Sequence, residues 1–146
     1  MSSRRLHSAA ENVAMWYAVK VEKCIHIPEM PVYKALRSRF QRQDFWGADV
    51  MGMRKNGSKV WIQVTTGGSS AVSARKKRLM HLWGQDDTVL MMQISGRHGK
   101  YFMTVWRKEG REWKTLREKE RIPNEWFRPL RMDTNERRGK DGTKDK

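Results

Sequence analysis

The chain has 146 residues, with 31 Lys and Arg against 16 Asp and Glu, a formal net charge of +15. Seven Trp and ten Met exclude a purely unfolded basic tether, and a single cysteine, Cys24, excludes an internal disulfide or a cysteine-built zinc site. No apolar run approaches the roughly 18 residues a membrane span needs, and no apolar stretch follows the basic opening Met1-Ser2-Ser3-Arg4-Arg5. No membrane partner and no secretory signal are therefore expected, and the cytoplasm, of a cell or of an infected host, is the expected compartment.

Leu6, Ala10, Val13, Tyr17, Val21 and Cys24 recur at three- and four-residue spacing. This predicts an amphipathic helix over about residues 8–24. Ser8 followed by Glu11 reads as a capping box at its start. Pro28 and Pro31 break the pattern. Residues 32–41 fit either a strand or a short basic helix.

From Ala48 the pattern changes to strands. Ala48–Arg54 and Ser58–Thr66 flank Lys55-Asn56-Gly57, a hairpin signal. Val60, Ile62 and Val64 alternate with Trp61, Gln63 and Thr65. A loop, Thr66-Gly67-Gly68-Ser69-Ser70, leads to a second helix marked by Val72, Leu79, Leu82 and Trp83, including His81 and capped by Gly84. Arg75, Lys76, Lys77 and Arg78 cluster on it, as a solvated face or a face for nucleic acid. Thr88–Ile94 is apolar on both sides, as in a buried central strand. Tyr101–Trp106 and Glu112–Leu116 read as a hairpin around Lys108-Glu109-Gly110. Residues 1–130 form one domain. Residues 131–146, with one apolar side chain, read as a disordered basic tail. The class is α/β or α+β: one mixed sheet with a helix on each side. Most of the positive charge belongs to the folded part, which favours a polyanionic partner.

Chemistry concentrates around Gly47-Ala48-Asp49-Val50 and Gln63-Val64-Thr65. Positions i and i+2 of a strand share a face, so Gln63 and Thr65 lie side by side. The four histidines show no metal-ligand spacing, and Cys24 reads as a core residue. The arrangement over residues 8–95 resembles the PD-(D/E)xK nuclease superfamily, and within it the archaeal-type Holliday-junction resolvases. Their core is a helix bearing a Glu, a strand starting with Asp, a hairpin, a strand with Glu-x-Lys, a basic helix and another strand. Glu11, Asp49 and Gln63-Val64-Thr65 fall on the matching positions. Two departures stand out: Gln63 replaces the Glu and Thr65 replaces the Lys.

The resemblance implies an α/β restriction-endonuclease-like fold, a mixed central sheet flanked by helices. It implies a Mg²⁺- or Mn²⁺-dependent endonuclease for DNA, in particular branched DNA, acting as a homodimer. Asp49, Gln63 and the Val64 carbonyl are then the metal ligands, with Glu11 assisting. Lys76, Lys77 or Lys59 stands in for the missing lysine, and Arg37, Arg39, Arg42, Arg75, Lys76, Lys77 and Arg78 meet phosphates. A module of the same fold without catalysis, binding nucleic acid, is the alternative. An RNA- or ribosome-associated basic protein of unrelated fold is a third.

Two turn geometries compete at the first hairpin. A two-residue loop of Asn56-Gly57 sets Asp49 opposite Val64, away from Gln63. A three-residue loop with Gly57 in the left-handed region sets Asp49 opposite Gln63, Val50 opposite Ile62 and Met51 beside Trp61. The second is expected, since it keeps like residues together.

Overall fold

The computed structural model describes residues 3–28, 32–35, 39–42, 48–82 and 86–130. Arg37, Trp46, Trp83, Gly84 and the tail 131–146 lie outside them. The elements in order are α1 (Ser3–Lys20), β1 (Cys24–His26), β2 (Val32–Ala35), β3 (Arg39–Arg42), β4 (Val50–Arg54) and β5 (Lys59–Thr65). They continue with α2 (Ser69–Arg78), β6 (Thr88–Arg97), β7 (Lys100–Glu109), β8 (Glu112–Arg121) and a 3₁₀ turn at Asn124–Phe127.

The fold is α/β, with a six-stranded sheet in the order β1-β4-β5-β6-β7-β8 and a separate β2–β3 pair. Only β5 and β6 run parallel within the large sheet, and α2 lies between them in sequence, as a parallel connection requires. The described residues of 32–42 form two short antiparallel strands, not one strand or a helix, with Val32 facing Arg42 and Ala35 facing Arg39.

The alternation of β5 explains the layers. Val60, Ile62 and Val64 join Val50, Leu90, Met92 and Ile94 on one face, under Ala10, Val13, Ala14, Tyr17 and Ala18 of α1. Trp61 joins Val89, Met91 and Ala48 on the other, under Val72 of α2 and Leu79 just past its end. β6 is therefore covered on both sides, and its unbroken apolar run follows from that.

α1 starts earlier than its capping signal suggested, so Ser8 and Glu11 are interior helical residues and do not mark the helix start. Leu6, half-buried against the core, extends the apolar stripe forward and carries the helix with it. The helix also stops earlier. The amides of Val21 and Glu22 both donate to the Tyr17 carbonyl, and Lys23 turns the chain at φ +64°. Cys24 is thus the first residue of β1, not the end of a helix. Its thiol is buried and pushed up to about 11 by that burial.

α2 also ends before Leu82, at Arg78, with Leu79 as its cap in place of Gly84. His81 and Leu82 follow in tighter turns, Leu82 donating to the Leu79 carbonyl. Burial of both leucines takes precedence over continued helix.

The last three strands are longer than their apolar cores. β6 and β7 join through a two-residue turn, Arg97 facing Lys100, with His98 at φ +58° and Gly99 at φ +80°. β7 and β8 turn at Gly110-Arg111, Glu109 facing Glu112, one or two residues beyond the expected centre. Charged outer positions of β8 mask its continuation from pattern analysis.

The C-terminal segment closes over α1. Trp126 stacks on Trp16 at 6.5 Å between centroids and meets Tyr17 edge-on. Trp16 Nε1 donates to the Arg128 carbonyl at 2.8 Å, and Asn12 Nδ2 donates to that of Phe127 at 3.1 Å.

At Gly52 an added Cβ meets the Cys24 Sγ at 2.6 Å and the Ala18 Cβ at 3.5 Å. β4 therefore approaches β1 and α1 too closely for a side chain. Gly52→Ala is expected to cost about 1–3 kcal/mol as an overpacked core, read as a lower midpoint in urea unfolding. The raised thiol pKa predicts a second result. Cys24 should resist iodoacetamide at pH 8 in the native protein and react once the chain is unfolded.

Candidate functional site

The β4–β5 hairpin sets the site. Val50 pairs with Ile62, Met51 with Trp61, Gly52 with Val60 and Met53 with Lys59. Arg54 and Ser58 close a three-residue loop: the Arg54 amide donates to the Ser58 carbonyl, and the Gly57 amide donates to the Arg54 carbonyl, both at 2.9 Å. Gly57 has φ +91°, the left-handed conformation this loop requires. The regular register ends at Val50; Asp49 is a bend residue between β4 and the bridge residue Ala48. The Asp49 amide donates to the Ile62 carbonyl at 2.8 Å, which keeps the residue against β5 just outside β4.

The two side chains meet. Gln63 Nε2 donates to Asp49 Oδ2 at 2.6 Å, and the Val64 amide donates to the same oxygen at 3.0 Å. Gln63 is buried and Asp49 partly so. With its amide nitrogen on Asp49, Gln63 keeps a carbonyl oxygen at the other end of the same planar group.

A cleft of about 130 Å³ opens beside this pair, lined by Ala10 and Glu11 of α1, Asp49, Gln63 and Val64 of the sheet, and Arg75 and Arg78 of α2. It sits where both helices reach the same end of the β4–β5 hairpin. Four of the expected ligand positions, Glu11, Asp49, Gln63 and Val64, thus share one cleft. The lining residues carry two carboxylates, an amide and a peptide carbonyl, all hard oxygens of the kind Mg²⁺ and Mn²⁺ accept. The volume is large enough for a cation with waters around it. No cluster of three or more His, Cys, Asp or Glu occurs among the described residues, so any cation held there relies on neutral oxygens as well.

The lysines are placed differently. Lys76 Nζ lies 4.1 Å from the Trp106 ring centroid and 5.5 Å from that of Trp113, and burial pulls its pKa down. Lys77 is exposed on α2. Lys59 begins β5, about 13 Å along the strand from Gln63, and its amide donates to Asp87 Oδ1. None of the three lines the cleft; Arg75 and Arg78 do. Arg39 and Arg42 lie on β3, in the separate β-pair.

Thr65, at the position of the absent lysine, is buried, and its Oγ1 accepts from the Gly67 amide at 3.0 Å. Gln93 Nε2 donates to the Gly67 carbonyl at 2.9 Å. These two bonds fix the loop that launches α2, and so they set where Arg75 and Arg78 stand. The alternation of β5 put Thr65 beside Gln63, but nothing in the pattern disclosed its hydrogen bond.

Asp49 also has a structural task. Asp49→Ala is expected to leave the Val64 amide and the Gln63 side chain without their acceptor and to lower stability by about 1–3 kcal/mol. Chemical denaturation of the two proteins checks it, and Asp49→Asn, which keeps one acceptor oxygen, should lose less. Comparisons with family models, with curated proteins and with solved structures return no match to this chain.

Proposed function

We propose that this protein is a metal-dependent DNA endonuclease of the PD-(D/E)xK type, with Asp49, Gln63, the Val64 carbonyl and Glu11 around the metal. The observation that carries it is the convergence of these four residues, from a helix, a strand start and the neighbouring strand, on one cleft faced by two arginines. The succession of helix, antiparallel hairpin, basic helix and parallel strand agrees with that fold type.

A bound Mg²⁺ supplies charge to offset the phosphate oxygens and lowers the pKa of a coordinated water. The chain's own residues divide the remaining tasks. Asp49 brings the charged oxygens, held in place by the Val64 amide and Gln63. For Gln63 to offer its carbonyl oxygen where its nitrogen now stands, the amide would have to turn over and give up its hydrogen bond to Asp49. Glu11 enters from α1, and Arg75 and Arg78 line the same cleft from α2. With few carboxylates these residues would hold a cation weakly and would depend on further oxygens from the substrate.

The net charge of +15 suits a polyanion. By resemblance, branched DNA is the substrate class and a homodimer the acting form. No helix among the described residues is long and apolar enough to cross a membrane. A binding module without catalysis is the second reading. It is favoured by Thr65 in the lysine position and by Asp49 Oδ2, which already accepts two hydrogen bonds.

The two separate in one experiment. A labelled four-way junction is incubated with the full chain in Mg²⁺ or Mn²⁺, beside Asp49→Asn. The nuclease predicts metal-dependent nicking that falls at least about 100-fold in the variant. Binding with no nicking in either metal, unchanged by the substitution, supports the module. Preference for structured RNA over the junction overturns both. Affinity for DNA should fall steeply from 50 to 200 mM salt.

A further inference from the structure

α2 meets the sheet through positions 72, 75, 76 and 79, the spacing of one helical face. Val72 and Leu79 are buried there. The two positions between them are cations, Arg75 and Lys76, both half-buried. A charge in that place is costly unless something compensates it. Lys76 has its compensation in the two indole rings of Trp106 and Trp113. Arg75 differs. Its Nε is fully buried and has no hydrogen-bond partner among the described residues. Its side chain lines the cleft that also holds Asp49, Gln63 and Glu11.

An unsatisfied buried guanidinium donor at the wall of a polar cleft is a position prepared for an anion. Guanidinium is permanently protonated and fits phosphate oxygens with two parallel donors. The strand position from which a lysine would serve is taken by Thr65, committed to the Gly67 amide.

We propose that Arg75 is the phosphate-gripping catalytic residue of the cleft. It donates to a non-bridging oxygen of the phosphodiester beside Asp49 and offsets the charge that gathers there during cleavage. In that hydrolysis a water oxygen bonds to phosphorus, and the bond from phosphorus to the leaving sugar oxygen breaks. The water gives up a proton to solvent and the departing oxygen takes one from solvent, so one water is added across the bond. Arg75 keeps its proton throughout. The catalytic half of this proposal rests on the nuclease reading above; the phosphate-binding half does not.

Two measurements on the full chain test it. In metal-free buffer, the ¹⁵N-detected Nε–H signal of Arg75, assigned by its loss in Arg75→Lys, is followed as a four-way DNA junction is added. The expected result is a shift that saturates with binding. In Mg²⁺, single-turnover cleavage is compared for the unmodified protein, Arg75→Ala, Arg75→Lys and Lys76→Ala, with thermal melts as a check on folding. Arg75→Ala should lose about 100-fold or more in rate, far more than it loses in metal-free DNA affinity, and Arg75→Lys should recover part. A signal unmoved at saturating DNA overturns the proposal. So does a folded Arg75→Ala that cleaves at the unmodified rate, or a larger loss from Lys76→Ala. A shifted signal with no cleavage by the unmodified protein overturns the nuclease reading and the catalytic half, and supports the binding half.

Discussion

The three-residue turn between β4 and β5 decides which side chains share a face of the sheet. A strand has a side-chain period of two, so a one-residue slip would exchange every inward and outward position of β4. Asp49 would then point toward α1, away from Gln63. Gly57, at φ +91°, permits the loop that prevents this. Arg54 secures it from the other side. Its guanidinium donates to Ser58 Oγ, the Glu22 carbonyl, Glu22 Oε1 and Thr88 Oγ1, tying the turn to the segment before β1 and to the start of β6. The Arg54–Glu22 pair is 2.6 Å long and mostly shielded from solvent. Burial of Val50 against Ile62 then favours the same register at the far end.

The charge of α2 follows from two different solutions to one packing problem. Its inner face has only two buried aliphatic anchors, Val72 and Leu79. The aliphatic stems of the two cations between them cover apolar surface while their charged heads need partners. One head rests on aromatic rings, the other on the cleft. A helix with a wholly apolar inner face would pack more tightly and leave the cleft with less positive charge. Function and packing compete at these positions, and the helix is short, ending at Arg78.

Layer order, the central strand and the first hairpin were legible because each depends on local apolar alternation or on turn chemistry at Asn56-Gly57. The grouping of Glu11 with Asp49 and Gln63 was legible only through the resemblance, since they are distant in sequence. The limits of both helices were not legible. Ser8 and Gly84 carry strong local cap signals, but Leu6 and Leu79, driven by burial, place the ends elsewhere. The run from Arg75 to Arg78 reads as one cationic block in the sequence. In the structure it divides by helical angle: Lys76 to the tryptophans, Lys77 to solvent, Arg75 and Arg78 to the cleft. Telling them apart requires the helix start, which depends on the Thr65–Gly67 contact and is invisible to periodicity.

Glu11 stands on a helix fastened by residues more than one hundred positions later. Asn12 and Trp16 donate to the carbonyls of Phe127 and Arg128, and Trp126 stacks on Trp16. Translation proceeds from the amino end, so α1 emerges well before its last fastenings do. During synthesis the helix rests on an incomplete platform, and the acid it carries has no settled station. The wall of the cleft that α1 provides is secured only once residues 126–128 have been made, so the site is assembled long after the helix that carries its acid.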